Sequence, residues 1–192
     1  MQKPLAGMKA AILVANGFNE QEMTIFQRGM MEAGAYPRII SVENGLANGW
    51  QGTGWGHYFA VDCQLSDALA ADFDILVIPG GQRSLDKLKM TAHTRRFIGG
   101  FMAAHKPVMV IGDGLNLMSA VGLSSGHMVT GPEASKEAAT AAGATWSESS
   151  PTIDGSLITC QSTPETLKEL VETLINFKLS QMAEDHLEQE AA

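Results

Sequence analysis

Three short apolar runs, each ending in glycine, constrain this chain more than any other feature: AAILVANG (10–17), FDILVIPGG (73–81) and KPVMVIGDG (106–114). Their apolar character is continuous rather than alternating, which marks strands covered on both faces, and their Val and Ile suit a buried parallel sheet. Between the runs the spacing turns helical. Met23, Phe26 and Met30 fall three and four residues apart within Glu20–Ala33, and Thr91–Ala104 carries Phe97 and Phe101 four apart with Met102 beside them. Alternating strands and helices imply crossover units. The expected architecture is an α/β three-layer sandwich, a mostly parallel sheet with helices on both faces.

Other segments fill in this plan. Residues 44–61 interleave Gly45, Gly49, Gly52, Gly54 and Gly56 with Trp50 and Trp55, the signature of a β-hairpin or glycine-rich flap. Pro132–Ala142 reads as a helix, and strands over Thr145–Ser147 and Ser156–Cys160 flank an Asp154-Gly155 turn. A last helix starts with Thr163 as its cap and Pro164 in its first position, with Leu167, Leu170, Val171, Leu174 and Ile175 on one face. The 192 residues suit a single domain, with its core over about 8–177 and an acidic, solvated tail over 184–192.

The formal charge of −8 speaks against a nucleic-acid binder, whose affinity rests on clustered Lys and Arg. Cys63 and Cys160 are too few for a disulfide framework and lack zinc-ligand spacing; the histidines share no ligand spacing either. Neither a metal nor a cofactor is expected. The apolar run near the N-terminus is too short for a signal sequence or a membrane span, so the expected setting is the reducing cytoplasm.

Ligands of open parallel sheets bind beyond the carboxyl ends of the strands. The three strand ends here carry Asn16-Gly17-Phe18 with Glu20 and Glu22 beyond, Pro79-Gly80-Gly81, and Gly112-Asp113-Gly114 running into Leu115–Ala120. A glycine on each side of Asp113 permits a sharp strand-to-helix turn that presents the side chain between them, the geometry of a nucleophile elbow. These residues, in this order, resemble the ThiJ/PfpI superfamily, the Parkinsonism-associated and intracellular-protease-like group of the class I glutamine amidotransferase-like fold, flavodoxin-like in its layering. The resemblance runs from about Met8 to Phe177. It includes the hairpin before Val61-Asp62, the turn Ala120-Val121-Gly122-Leu123 and the strand end Ile158-Thr159-Cys160-Gln161.

The resemblance implies a cysteine at the elbow, often followed by histidine, and a glutamate matching Glu22 that tunes the thiol. This sequence has Asp113 and Gly114 there, and Leu115-Asn116 where Gly-Pro is common. Thiolate chemistry of the family, whether amide hydrolysis, deglycation, isonitrile hydration or peroxide sensing, is therefore expected to be absent. The family geometry also implies that Asp113 and Glu22 face each other and share a proton, assigned here to Glu22. Asp113 would then keep its charge at its helix start and imitate a cysteine sulfinate. Gly81 and Gly114 are the candidate oxyanion-type backbone donors. Asn16, Gly80, Asn116 and, more weakly, Glu133 are candidate ligand-binding residues.

Structural roles compete for the same residues. Asn19-Glu20-Gln21-Glu22 matches a capping box, and Asp113 is itself a favoured helix cap. Trp50 and Trp55 suit a flap packed on its own domain or a dimer contact, or else a ligand wall; His57 suits the surface. Two functions follow as expectations. One is a non-enzymatic or stress-related member that binds a small polar molecule in an Asp113–Glu22 pocket. The other is a hydrolase or lyase acting on a small carbonyl, amide or ester, with Asp113 as nucleophile or base and Glu22 as acid. The resemblance also implies a homodimer.

Overall fold

The first apolar run forms β1 (Lys9–Val14) in the interior of the sheet, where Ala10 to Val14 are fully buried. The computed structural model describes residues 3–190, with side chains described as far as Glu184. After β1 come β2 (Phe18–Asn19), α1 (Glu20–Glu32), β3 (Tyr36–Ser41), β4 (Leu46–Gln51), β5 (Gly54–Ala60) and β6 (Cys63–Gln64). The second apolar run is β7 (Ile75–Ile78), followed by α2 (Gln82–Leu88) and α3 (Ala92–Ala103). The third is β8 (Val108–Ile111), which passes through a 3₁₀ turn at Gly112–Gly114 into α4 (Leu115–Ala120). Then follow β9 (Met128–Val129), α5 (Lys136–Ala141), β10 (Thr145–Trp146), β11 (Thr152–Asp154), β12 (Leu157–Cys160) and α6 (Pro164–Glu190).

Seven strands form one sheet in the order β11-β12-β8-β7-β1-β3-β6. Every pairing is parallel except β11 with β12, which are joined by the Asp154-Gly155 turn. The layers follow from strand alternation. Ala11 and Leu13 of β1 point into a core with Leu85 of α2, Phe97 and Phe101 of α3, and Met118 of α4. Ala10, Ile12 and Val14 point the other way, onto Met23, Phe26 and Met30 of α1 and Leu167, Leu170 and Leu174 of α6. Each such side chain taken from water contributes roughly 1.5–3 kcal/mol, which is why both faces stay covered. At Gly29 a Cβ would lie 2.7 Å from Val171, so this glycine sets the close approach of α1 and α6.

The glycine-rich segment is the expected hairpin. β4 and β5 pair antiparallel, and β4 also pairs with β2, which seats the hairpin over the carboxyl end of β1. Asn16 secures it: the Asn48 N–H donates to Asn16 Oδ1 (2.7 Å), and the Gly17 N–H donates to the Asn48 carbonyl (2.8 Å). Elsewhere the structure differs from the sequence pattern after Pro132, where the chain begins with a 3₁₀ turn at Glu133–Ser135 before α5. The last helix, capped by Thr163 Oγ1 accepting from Thr166 N–H (3.2 Å), continues to Glu190 and so takes in residues 184–190 of the acidic tail. The tail side chains beyond Glu184 lie outside the described residues. Among the described residues, no helix is long and apolar enough to cross a membrane.

Candidate functional site

The first turn of α1 carries two acids, Glu20 and Glu22, and the capping residue Asn19 aims them. Asn19 is extended, and its Oδ1 accepts the Glu22 N–H (3.2 Å), which starts the helix. A reciprocal capping box would bring the Glu22 carboxyl back to the Asn19 N–H. Instead that N–H donates to the Gly80 carbonyl (2.7 Å), and Glu22 Oε2 accepts from the Gly80 N–H (2.6 Å). Half of the box is made, and the carboxyl is released to the next strand end.

Asp113 arrives from β8. Gly112 takes φ +55°, a left-handed conformation suited to glycine, and the chain turns sharply enough to present the next side chain. Asp113 does not cap α4, because Gly114 precedes that helix with no side-chain cap. Its Oδ1 instead accepts from the Gly81 N–H (2.9 Å). Successive N–H groups of one turn are thus shared between the two acids: Gly80 serves Glu22 and Gly81 serves Asp113. A Cβ at Gly80 would overlap Asp113 Oδ1 and lie 3.0 Å from Glu22 Oε2; one at Gly112 would lie 2.9 Å from Glu22 Oε1. Glycine at both positions is what lets the two carboxyls converge.

Glu22 is only 2% exposed, and its carboxyl titrates at about 7. Burial is the main cause and the Asp113 charge adds to it, against the lowering effect of hydrogen bonds from Ser162 and the Gly80 N–H. Ser162, just past β12, was not among the candidates. The strand-end rule that singled out three strands would have found it if applied to the fourth. Cys160, the last residue of β12, is wholly buried, and burial together with the Glu22 charge pushes its thiol up to about 12. Burial and the acids Asp67, Asp72 and Asp62 also raise Cys63. Neither cysteine lies in an electropositive setting that would activate it.

Glu20 has a different fate. At 5% exposed, it accepts from the His57 N–H (2.8 Å) and from Gln51 Nε2 (2.7 Å), and its Oε1 lies 2.5 Å from His57 Nδ1. Burial alone would raise its pKa, but these partners on the hairpin outweigh burial and hold it below the ordinary carboxylate range. Gly49 and Gly56 give the carboxylate its room, since a Cβ at either would collide with it. His57 keeps an exposed ring while serving this bond.

Between α1, the hairpin and the elbow lies a cleft of about 770 Å³ lined by Glu20, Thr24, Trp50, Gln51, Gln82 and Asp113, among others. The structure brings together Glu22, Asp113, Gly80 and Gly81, but not all the candidates join them. Asn16 spends its side chain on the hairpin and Asn116 does not line the cleft. Glu133 lies apart from the cleft lining: its side chain is 78% exposed and pairs with Lys136 (3.6 Å), three residues on, as an acid in a helical first turn does. Gly114 packs against the Ile78 carbonyl, which makes it a close-approach position. Trp50 does wall the cleft, with the Arg83 guanidinium 4.6 Å from its ring centroid, while Trp55 remains exposed. Among the described residues, no group of three or more His, Cys, Asp or Glu side chains is arranged to hold a metal ion.

Three converging strand ends, a glycine-flanked elbow and a buried glutamate beside it coincide with the span of one family profile, DJ-1/PfpI, which matches residues 8–176. The chain belongs to the DJ-1/PfpI family. General stress protein 18 of Bacillus subtilis, similar to it, is 33% identical over 126 residues, covering 65% of this chain and 71% of that protein. Protein DJ-1 homolog D of Arabidopsis thaliana is 34% identical over 113 residues, 57% of this chain; the match spans only 29% of the plant protein's length. Among solved structures, a two-domain protein of Anabaena variabilis with DJ-1/ThiJ/PfpI-like and ferritin-like domains superposes with a TM-score of 0.80 and 27% identity. That superposition covers 88% of this chain and 47% of the other.

Proposed function

We propose that this DJ-1/PfpI family protein binds a small polar molecule non-covalently in the cleft between the elbow, α1 and the hairpin, and that it lacks the cysteine nucleophile its family resemblance would imply. One observation carries the reading. The N–H groups of Gly80 and Gly81, placed where an oxyanion would need donors, are occupied by the chain's own Glu22 and Asp113 carboxyls. The elbow residue, between Gly112 and Gly114, is an acid, and the Cys160 thiol is buried and held protonated. Asp113 in this position has the charge and the two oxygens of a cysteine sulfinate. A stress-related role is supported by the likeness to General stress protein 18. A cytoplasmic setting and a homodimer complete the proposal.

A second reading draws on Glu22, which carries a proton available near neutral pH beside a carboxylate. In that reading Asp113 is the nucleophile or base and Glu22 the acid of a hydrolase or lyase acting on a small carbonyl, amide or ester. A screen of small carbonyl, amide, ester and isonitrile compounds separates the two. The binding reading expects no turnover; turnover by the wild type that disappears in both Asp113→Asn and Glu22→Gln would replace it with the enzymatic one.

A further inference from the structure

The groups of the cleft that reach solvent are not neutral in what they ask of a ligand. Ten residues line it, including the acids Glu20 and Asp113, and none is Lys, Arg or His. The backbone donors at its floor are occupied, since the Gly80 and Gly81 N–H groups serve Glu22 and Asp113. Two of the side-chain amides are engaged in the same sense. Gln51 Nε2 donates to Glu20 (2.7 Å) and lies 3.3 Å from His57 Nδ1, while Gln82 Nε2 donates to Asp86 (2.9 Å). Both glutamines therefore keep their carbonyl oxygens as the open end. Asn19 Oδ1 is occupied by the Glu22 N–H, and Asp113 receives from the described residues one hydrogen bond, at Oδ1, which leaves Oδ2 to be satisfied. What remains for a ligand is a lining with two carboxylates and open amide carbonyls, the amide N–H groups of Asn19 and Gln21, and the Trp50 ring.

Acceptors around an aromatic wall recognise positive charge that carries N–H groups. Anions meet two carboxylates and no cationic side chain among the lining residues. Trp50 already holds a cation in this molecule, with the Arg83 guanidinium over its ring from outside the lining residues. We infer that the cleft selects a small organic cation, an amine or a guanidinium compound, through Asp113 and the carbonyls of Gln51 and Gln82, with Trp50 against its apolar part. The inference rests on the non-covalent reading above and narrows it to a ligand class. The volume of about 770 Å³ is within the range of small-molecule sites.

The test compares three probes of one shape by isothermal titration and tryptophan fluorescence at a single pH of about 7.5: benzylamine as cation, benzyl alcohol as neutral and benzoate as anion. Benzylamine is expected to bind at least roughly ten times more tightly than the other two. Asp113→Asn, checked for folding by circular dichroism, should lose that preference. Gln82→Lys, a change at an exposed position on α2, places an ammonium in the cleft and should weaken benzylamine without disturbing the elbow. Benzyl alcohol or benzoate binding as tightly as benzylamine, or a wild type that ignores benzylamine, overturns the assignment. An unchanged preference in both variants does so too. Catalytic turnover would overturn the non-covalent reading alone, because charge selectivity is read from binding.

Discussion

Glu20 and Glu22 stand two residues apart on one helical turn, both nearly inaccessible to solvent, yet their carboxyls ionise in opposite directions. Glu20 faces the hairpin, where His57 and Gln51 supply donors from β4 and β5, and it is held below the ordinary range. Glu22 faces the elbow, where one N–H from Gly80 and a bond from Ser162 fall short of burial and the Asp113 charge, and it rises to about 7. Both carboxyls are covered, but Glu22 lies much deeper in the protein than Glu20 does beneath its hairpin, so depth of burial is part of the difference. The donors opposite each carboxyl supply the rest, together with the sign of the nearest charge. One acid secures the hairpin over the cleft as a permanent anion, while the other stores a proton at its floor.

The same isosteric substitution at the two sites should therefore have opposite effects. Folded Glu22 holds its proton up to about pH 7, against an ordinary value of 4.5, so the folded chain binds more protons than the unfolded chain between those limits. Stability is then lost as pH rises through that window, by about 3 kcal/mol in all. Glu22→Gln removes the slope: the variant should match the wild type near pH 4.5 and exceed it at pH 8, as measured by urea unfolding. A slope that persists in the variant would place the stored proton on another group. Glu20→Gln should instead destabilise by about 1.5–3 kcal/mol at pH 7, since it sets an amide N–H₂ against three donors. Glu20 is held low, so its contribution is present at neutral pH and lost as the pH falls through its folded value; the gap should narrow in acid. Two variants shifted in the same direction at pH 8 would end the contrast between the acids.

The smallest effect belongs to the element the two acids share. Asn19→Ala removes the cap at the Glu22 N–H and should cost about 1 kcal/mol in thermal unfolding. Its pH dependence should parallel the wild type, because the Glu22 carboxyl is held by the Gly80 N–H and the cap bonds only the backbone. A steeper or flatter profile would mean that the cap itself holds Glu22 on Gly80.

Much of this arrangement can be read from residue order, but unevenly. The apolar runs mark β1, β7 and β8, because strands buried on both faces leave no polar alternation, and the rule that ligands sit at strand carboxyl ends then selects Gly80, Gly81 and Asp113. The tryptophan-bearing hairpin is legible from its glycines. Glu20 is not legible as the hairpin's anchor, since its partners Gln51 and His57 lie more than thirty residues away and only the seating of β4 on β2 brings them near. Ser162 is legible as a residue just past a strand end, but its tie to Glu22 is not, since it forms only when β12 packs beside β8.

Chain chemistry alone placed an acid at the elbow, put both cysteines elsewhere and set Asn19 to start α1, because capping, turn geometry and strand patterning act over a few residues. Which N–H each carboxyl takes was settled in three dimensions. A capping box would have kept Glu22 on its own helix, and a cap would have kept Asp113 on α4. The Gly80-Gly81 turn passes close enough to offer both a donor, since Gly80 has no Cβ to hold the acids away. That approach depends on how β7 sits between β1 and β8 in the sheet, which the local turns and cap do not themselves set.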